Sequence, residues 1–355
     1  MRSPVRVWIL GAGFSARLGG PLLPALLTES ALATLSFRHP TTWIGSVAPA
    51  IVVGVFQRGK EAKHWSDAEA FLAAICSCDE FDEHRLKELV AETRRSLPSA
   101  VDLDIASDEI AWLYGKAVGT VAAQCLDFVD RAASDSEAWL PYDRWAKALR
   151  PDDVVITFNY DTVVEQAFKR NRIRLSVPDP RHAQWDRKAP GETLLLKLHG
   201  SVTFRDTIAG GAYGRGLTDL DTNAAFIAIP GLSKKDMTAT DFDWLWERAE
   251  EALKEAESVA IVGYGCPATD EQAKAWVLDS LAANPHRPTV NVVLGPDSAA
   301  ARRLVALLGQ SGVQVNDMQM WAEDYLSAVG VGKGWTPKDY CEDLEDDDSS
   351  DDDGG

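Results

Sequence analysis

Side chains that can donate hydrogen bonds, carry charge or move protons follow two strongly apolar runs of the sequence. The run "VVITF" is followed by Asn159, Tyr160 and Asp161, and the run "LLLKL" is followed by His199. An amide orients hydroxyl groups or water, and a carboxylate supplies a negative field. A histidine, whose unperturbed pKa lies near neutrality, accepts a proton. These residues are therefore the first candidates for a chemical site.

Each of these residues also has a purely structural explanation. Thr162 and Glu165 have the spacing of a capping box, so Asp161 can belong to a helix start without any chemistry. A lone histidine at a strand end is more often structural than catalytic. Asn159 is neither strand-forming nor needed for the cap, and the capping explanation does not account for it.

A third candidate site is the glycine-rich turn after the first apolar run, "VRVWIL". Gly11, Ala12, Gly13 and then Ala16 fit the pattern G-x-G-x-x-G/A, which allows a tight turn and the close approach of a pyrophosphate. The alternative is a turn that needs glycine only for its shape. A dehydrogenase would also have an acid about 20 residues further on. Glu29 comes too early and in a helical pattern, so that class is poorly supported.

The elements that must position these residues alternate between strands and helices. Near-continuous apolar runs predict strands buried on both faces. In the segment 244–257 apolar residues recur at three- and four-residue spacing, which is typical of a crossover helix. The pattern predicts an α/β fold with a doubly wound, parallel, Rossmann-like sheet. The predicted strands are 5–10, 154–158, 194–198, 226–229, 259–262 and 290–294.

In such a sheet, ligands bind at the carboxyl ends of the strands. The glycine turn, Asn159 with Asp161, His199, and the turn Gly263-Tyr264-Gly265 all follow predicted strands. Their convergence on one crevice is a stronger signal than any single motif.

The sequence also predicts the domain organisation. Residues 1–61 and 150–330 form the sheet domain, and residues 62–149, which lack clear strands, form a helical insertion. Residues 331–355 form an acidic tail. Nine acids lie from Glu342 onward, so half of the net charge of −18 is local. Such a run is best interpreted as disordered and solvated, with partner binding as the alternative.

Composition excludes several classes of protein. No run of about 18 apolar residues predicts a membrane span. The five cysteines lack paired C-x-x-C spacing, which predicts free thiols, a reducing cytoplasmic compartment and no structural zinc. The acidic balance argues against a basic nucleic-acid surface.

Four segments together carry a family resemblance. "GAGFS", "TFNYD", "KLHG" and "IVGYGCPATD", with "IPGLSKK" and the helix before "VAIVGYG", resemble in order and distance the bacterial sirtuin-like (Sir2-like) domain. The resemblance covers about residues 5–325. It implies that NAD binds across the crevice, as the substrate, with His199 as the catalytic base. Asn159 and Asp161 would lie near the nicotinamide ribose. The residues it implies for NAD binding are Gly11, Ala12, Gly13, Phe14, Ser15, Asn159, Asp161, His199, Gly263 and Tyr264, with residues 295–297 a weaker candidate.

Two departures from the protein-deacylating sirtuins bear on the activity. The chain lacks the paired C-x-x-C motifs of their zinc module, and it has "LGGPLLPALL" where their phosphate loop continues. Both favour the branch that hydrolyses NAD in bacterial antiphage defence, in which a helical insertion is common. The expectation is an NAD glycohydrolase that needs no metal. The alternatives are NAD-dependent deacylation, ADP-ribosyl transfer, and a catalytically silent nucleotide-binding scaffold.

An unregulated NAD hydrolase would be toxic, so we expect control by assembly or by a partner. Relatives pair with a HerA-type ATPase or an Argonaute-like protein, and by analogy either is a candidate partner. We also expect a homo-oligomer. Trp112, Trp139 and Trp145 in the insertion either pack between subunits or fill the insertion's own core.

Overall fold

The computed structural model describes residues 5–38, 47–76, 83–97, 109–180, 191–205, 225–227, 242–267 and 270–330. Within these ranges the strands are Arg6–Leu10 (β1), Val154–Thr157 (β2), Leu175–Ser176 (β3), Thr193–Lys197 (β4), Gly200–Arg205 (β5), Ala225–Ile227 (β6), Ser258–Val262 (β7), Thr289–Val293 (β8) and Gln314–Asp317 (β9). The α-helices are Glu29–Arg38 (α1), Val47–Glu61 (α2), Ala68–Cys76 (α3), Glu83–Ser96 (α4), Glu109–Ala132 (α5), Ser136–Ala148 (α6), Val163–Arg170 (α7), Asp243–Glu255 (α8), Glu271–Ala282 (α9), Ala299–Gly309 (α10) and Ala322–Gly330 (α11).

Seven strands form one parallel sheet in the order β3-β4-β2-β1-β7-β8-β9. The central strand β1 pairs with β2 on one side and with β7 on the other. Helices cover both faces of the sheet, which confirms the predicted α/β, doubly wound, Rossmann-like fold. After β1 the chain builds one half of the sheet, and from β7 onward it builds the other half. The point where the two halves meet is where such folds bind ligands.

Alternate side chains of β1 enter two separate cores, because successive residues of a strand point to opposite faces. Val7 and Ile9 pack with α8, α9 and α10. Trp8 and Leu10 pack on the other face, with α6, α7 and α11. Both faces of β1 are therefore covered by apolar side chains, which explains why its sequence is a near-continuous apolar run.

A third core joins the helices α2 to α5. It includes Phe56, Phe71 and Leu113, and it extends to Tyr160 and to Val202 of β5. This helical cluster starts before residue 62, and α6, although inside the predicted insertion, covers the sheet. The domain boundaries themselves stay a prediction.

Two details of the predicted elements differ from the structure. The run 226–229 does not join the parallel sheet, because β6 pairs antiparallel with β5 in a separate two-stranded sheet. The short strands β3 and β9 were not predicted. Both lie at the sheet edges, and their partly exposed residues leave no long apolar run. Residues 229–235 and the acidic tail lie outside the described residues.

The tryptophans of the predicted insertion have different surroundings. Trp139 and Trp145 are 1% and 0% exposed and pack beneath the sheet with Trp8, so neither can lie between subunits. Their core also contains other residues of the predicted insertion, such as Phe128 and Tyr142, together with residues of the sheet. Trp112 is partly buried against the helical cluster. Of the helices that the structure describes, none has the length and apolar character needed to cross a membrane.

The loops that follow β1 and β7 touch through their backbones. The amide of Gly13 donates to the carbonyl of Gly263 over 3.0 Å, and the amide of Gly11 donates to the carbonyl of Val262 over 3.0 Å. Gly263 has a φ of 69°, and a Cβ on it would lie 2.1 Å from the Phe14 nitrogen. Glycine at this position is therefore required by both conformation and space.

We expect Gly263→Ala to lower the free energy of unfolding by about 3 kcal/mol or more, because it adds a backbone clash to an unfavourable φ. Gly312→Ala is the matched control, since Gly312 has a φ of 75° but no atom within 4 Å of its added Cβ. That control should lose only about 1–2 kcal/mol. Urea denaturation measures both, and equal losses would show that the loop contact is unimportant.

Candidate functional site

A cavity of about 500 Å³ lies at the carboxyl ends of the central strands. Its volume is within the range of about 300–1,000 Å³ that is usual for small-molecule sites. Its wall includes seven of the ten residues expected to bind NAD. These are Gly11, Ala12, Asn159, Asp161, His199, Gly263 and Tyr264.

Asn159 joins the ends of β1 and β2. Its side-chain amide donates to the carbonyl of Gly11 over 3.0 Å and to the hydroxyl of Ser15 over 3.3 Å. Its backbone amide donates to the side chain of Thr157 over 3.0 Å. The amide group is thereby held at a fixed orientation in the cavity wall.

Asp161 is buried behind Asn159. One carboxylate oxygen accepts the Ser15 hydroxyl at 2.7 Å, and the other accepts the backbone amide of Val163 at 3.0 Å. Burial raises the pKa of Asp161 above its usual value, and nearby Lys197 and the two hydrogen bonds oppose that rise.

The predicted capping box does not form. Thr162 stands at the N-cap of α7 without a side-chain capping bond, and Asp161 binds the first turn instead. The carboxylate of Glu165 accepts a hydrogen bond from the buried ammonium group of Lys197 over 2.8 Å. Lys197 also donates to the carbonyl of Asp161. The loop after β2 is thus fixed by a charged side chain of β4, which the sequence pattern did not reveal.

His199 is 2% exposed and is one of the residues that line the cavity. Its Nε2 lies 3.5 Å from a carboxylate oxygen of Asp270. The ring centroid of Phe158 lies 4.8 Å away, and Tyr160 and Trp246 are also close. The histidine therefore has the packed surroundings of a structural residue together with access to the cavity.

The other predicted NAD contacts lie outside the cavity wall that the structure describes. Phe14 is a core residue, with its ring 5.2 Å from Tyr142 and its carbonyl accepting the Tyr142 hydroxyl at 2.7 Å. Ser15 contacts Asp161 and Asn159 from behind, and Gly13 packs on Gly263. In the loop 295–297, Gly295 lies beneath the Trp321 ring.

Sequence reasoning missed several residues of the wall. Glu69, Cys125 and Phe128 come from the helices α3 and α5, and Arg303 comes from α10. These residues follow no strand end, so the criterion used for the other candidates could not find them. Asp270 is the last residue of "IVGYGCPATD", and the sequence alone does not mark it as a site residue.

Two cysteines of the described ranges, Cys125 and Cys266, lie at or beside the cavity. Burial raises the pKa of Cys125 far above its usual value and raises that of Cys266 to about 12. Neither of these two thiols therefore has the lowered pKa that is typical of a nucleophilic cysteine. Within the described ranges, no group of three or more His, Cys, Asp or Glu side chains is arranged to hold a metal ion.

Comparison with known protein families gives a match for part of the chain. Residues 153–315 match the family described as SIR2-like domain. The matched segment contains Asn159, Asp161, His199, Tyr264 and Asp270, and the match supports a Sir2-like protein. SIR2-like domains use NAD as a substrate, which supports an NAD-related activity in general terms. A search of curated proteins finds no significant match.

We expect Asp161→Asn to leave the fold at least as stable as the wild type at pH 8. Since burial raises the carboxyl pKa in the folded state, ionisation of Asp161 costs stability above the pKa of the unfolded chain. The gain in free energy of unfolding of Asp161→Asn over the wild type should be complete at pH values above the raised pKa of Asp161 in the folded state. It should vanish at pH values below the ordinary pKa of an aspartate in the unfolded chain.

Thermal unfolding between pH 3 and pH 8 measures this dependence. Asp152→Asn, at an exposed turn, is the control and should show no such trend. A mutant that is less stable than the wild type at pH 8 would mean that Lys197 and the hydrogen bonds outweigh burial.

Proposed function

We propose that the chain is an NAD glycohydrolase, which cleaves the bond between nicotinamide and ribose to release nicotinamide and ADP-ribose or its cyclic form. The observation that carries this proposal is the convergence of Asn159, Asp161 and His199 on one cavity at the switch point of the sheet. The family match over residues 153–315 supports NAD as the substrate.

The electrostatics of the cavity suit this bond cleavage. Nicotinamide in NAD is a cationic ring that leaves as a neutral molecule, so it needs no strong general acid. The ribose carbon gains oxocarbenium character as the bond breaks, as in glycoside cleavage. The carboxylate of Asp161, held at low dielectric by Ser15 and Val163, stabilises positive charge in its vicinity.

Asn159 and His199 supply the remaining functions. The tethered amide of Asn159 orients a ribose hydroxyl or the attacking water. His199 accepts a proton from the water as the new carbon–oxygen bond forms and the carbon–nitrogen bond breaks. The proton then returns to solvent, which leaves the enzyme unchanged.

One feature of the sequence favours hydrolysis over transfer to a protein. The sequence has no paired C-x-x-C motif for a deacylase zinc module. Deacylation or ADP-ribosyl transfer would need an acceptor, whereas a silent scaffold would not turn NAD over at all. Turnover of NAD without any acceptor peptide separates these three functions.

Depletion of NAD is the proposed cellular consequence, in the manner of an antiphage effector. Such an activity requires control, so we propose a homo-oligomer and a regulatory partner, for which a HerA-type ATPase or an Argonaute-like protein is the analogue.

We expect His199→Ala and Asn159→Ala each to lower NAD hydrolysis by about 10²–10⁴-fold, the usual effect of removing a positioned base or its equivalent. Chromatographic detection of nicotinamide gives the rate, and thermal unfolding verifies that each mutant folds. His286→Ala is the control, since His286 is exposed and lies before the amino end of β8, whereas the cavity lies at the carboxyl ends of the strands. Near-normal turnover by His199→Ala would remove the histidine from the mechanism.

We expect truncation before Glu342 to leave both the mass in solution and NAD turnover nearly unchanged, because a run of like charges stays solvated. Light scattering at micromolar concentration should give an oligomer for both the full and the shortened chain. A strict monomer would contradict assembly through the folded body. Activation on removal of the tail would identify the tail as the regulator instead.

A further inference from the structure

Asp270 is an aspartate at a helix start that does not cap its helix. It occupies the N-cap of α9, where an aspartate side chain usually accepts a backbone amide of the first turn. Its side chain makes no capping bond. It is 2% exposed and accepts the Tyr264 hydroxyl at 3.0 Å, and the same oxygen lies 3.5 Å from Nε2 of His199.

This orientation needs an explanation, because a buried carboxylate is costly unless it is paired and hydrogen-bonded. The helix start offers Asp270 ready donors in its own backbone, yet the side chain faces the interior. Two of its neighbours there, Tyr264 and His199, line the cavity together with Asp270 itself. The cavity is therefore the place where this carboxylate can have an effect.

The charged and titratable groups around His199 come from several elements. Tyr264 follows β7 and Tyr160 follows β2, while Asp161 and Glu69 line the same cavity. Lys197 directs its ammonium to Glu165 and to the Asp161 carbonyl. Among the described residues, Asp270 places a carboxylate oxygen 3.5 Å from Nε2 of the imidazole.

We infer that Asp270 is a positioning residue that holds His199 with its proton on Nε2, so that Nδ1 carries the lone pair that accepts the substrate proton. A neutral imidazole has one donor nitrogen and one acceptor nitrogen, and a carboxylate beside Nε2 selects the Nε2–H form. The inference rests on the proposed hydrolase function and adds a residue to it.

The carboxylate also acts after the proton has moved. When Nδ1 takes a proton from water, the ring becomes a cation, and the adjacent negative charge favours that state. The water oxygen bonds to the ribose carbon, nicotinamide leaves with the electrons of the broken bond, and the imidazolium later releases its proton to solvent. In this proposal Asp270 acts through the imidazole and takes up no proton itself.

Tyr264 also connects Asp270 to the wall of the cavity. Its ring stacks on Phe158 with a centroid distance of 4.3 Å, and its backbone packs on Gly11. The Tyr264 hydroxyl donates to Asp270. Asp270 is therefore held by the same loop that forms the cavity wall beside the glycine turn. The position of the base is thereby fixed to the position of that wall.

A direct test measures the tautomer of His199 in the unmodified protein. Nitrogen-15 NMR of histidine-labelled protein distinguishes Nε2–H from Nδ1–H, and His199→Gln identifies the signal among the six histidines. We expect the Nε2–H form in the neutral state. The Nδ1–H form would overturn the inference, and this readout does not depend on NAD turnover.

A second test uses Asp270→Asn, which keeps the shape and can still accept the Tyr264 hydroxyl. We expect kcat to fall by about 10²–10⁴-fold, as for other histidines that lose an orienting carboxylate, with little change in KM. The acid limb of the pH profile should move to lower pH, because the imidazolium loses its carboxylate partner. Asp270→Glu should restore part of both effects.

The matched control is Asp279→Asn, which makes the same charge change at an exposed position of α9 and should behave as the wild type. An Asp270→Asn enzyme with an unchanged pH profile and kcat would overturn the inference. If the wild-type chain does not turn NAD over, the hydrolase proposal fails, and an Nδ1–H form of His199 would still overturn the orienting role of Asp270. If Asp270→Asn does not fold, an Nδ1–H form in the unmodified protein would likewise overturn the inference.

Discussion

The geometry of the cavity depends on one close contact, between the backbone after β1 and the backbone after β7. Gly11, Gly13 and Gly263 lie so near one another that side chains on them would collide with backbone atoms. Hydrogen bonds between the two loops fix their separation. Everything that the two halves of the sheet contribute to the site is held in register by this contact.

A network of polar side chains connects these two loops to the candidate catalytic residues and fixes their positions. Ser15 links the first loop to Asp161 and Asn159, and Lys197 fixes the backbone of Asp161 from β4. The network is buried, so its members hold one another in single orientations at the expense of desolvation. The raised pKa of the Asp161 carboxyl reflects this cost of desolvation. Sites of this kind exchange some stability for preorganised charge.

The sequence predicted the parts of this structure that depend on periodicity. Buried parallel strands give continuous apolar runs, so the main sheet and the strand-end positions of Asn159, Asp161 and His199 followed from the pattern. Edge strands such as β3 and β9 have no such signature. The wall residues from α3 and α5, including Glu69 and Cys125, reach the cavity through tertiary packing alone. A helix-start aspartate such as Asp270 looks ordinary in sequence, because only its side-chain direction distinguishes it from a cap.

The pairing of β1 has a consequence for the order in which the molecule forms during synthesis. Arg6 and its neighbours pair on one side with the strand that begins at Val154 and on the other with Ser258 and its neighbours. A chain still on the ribosome that has not reached β7 therefore leaves one edge of its central strand unpaired. Contacts between residues so distant in sequence form slowly, because a large loop must close first. Tyr264 and Asp270 emerge after that strand, so one wall of the cavity is missing until most of the chain has been made. Synthesis order alone keeps partial chains from having a complete site.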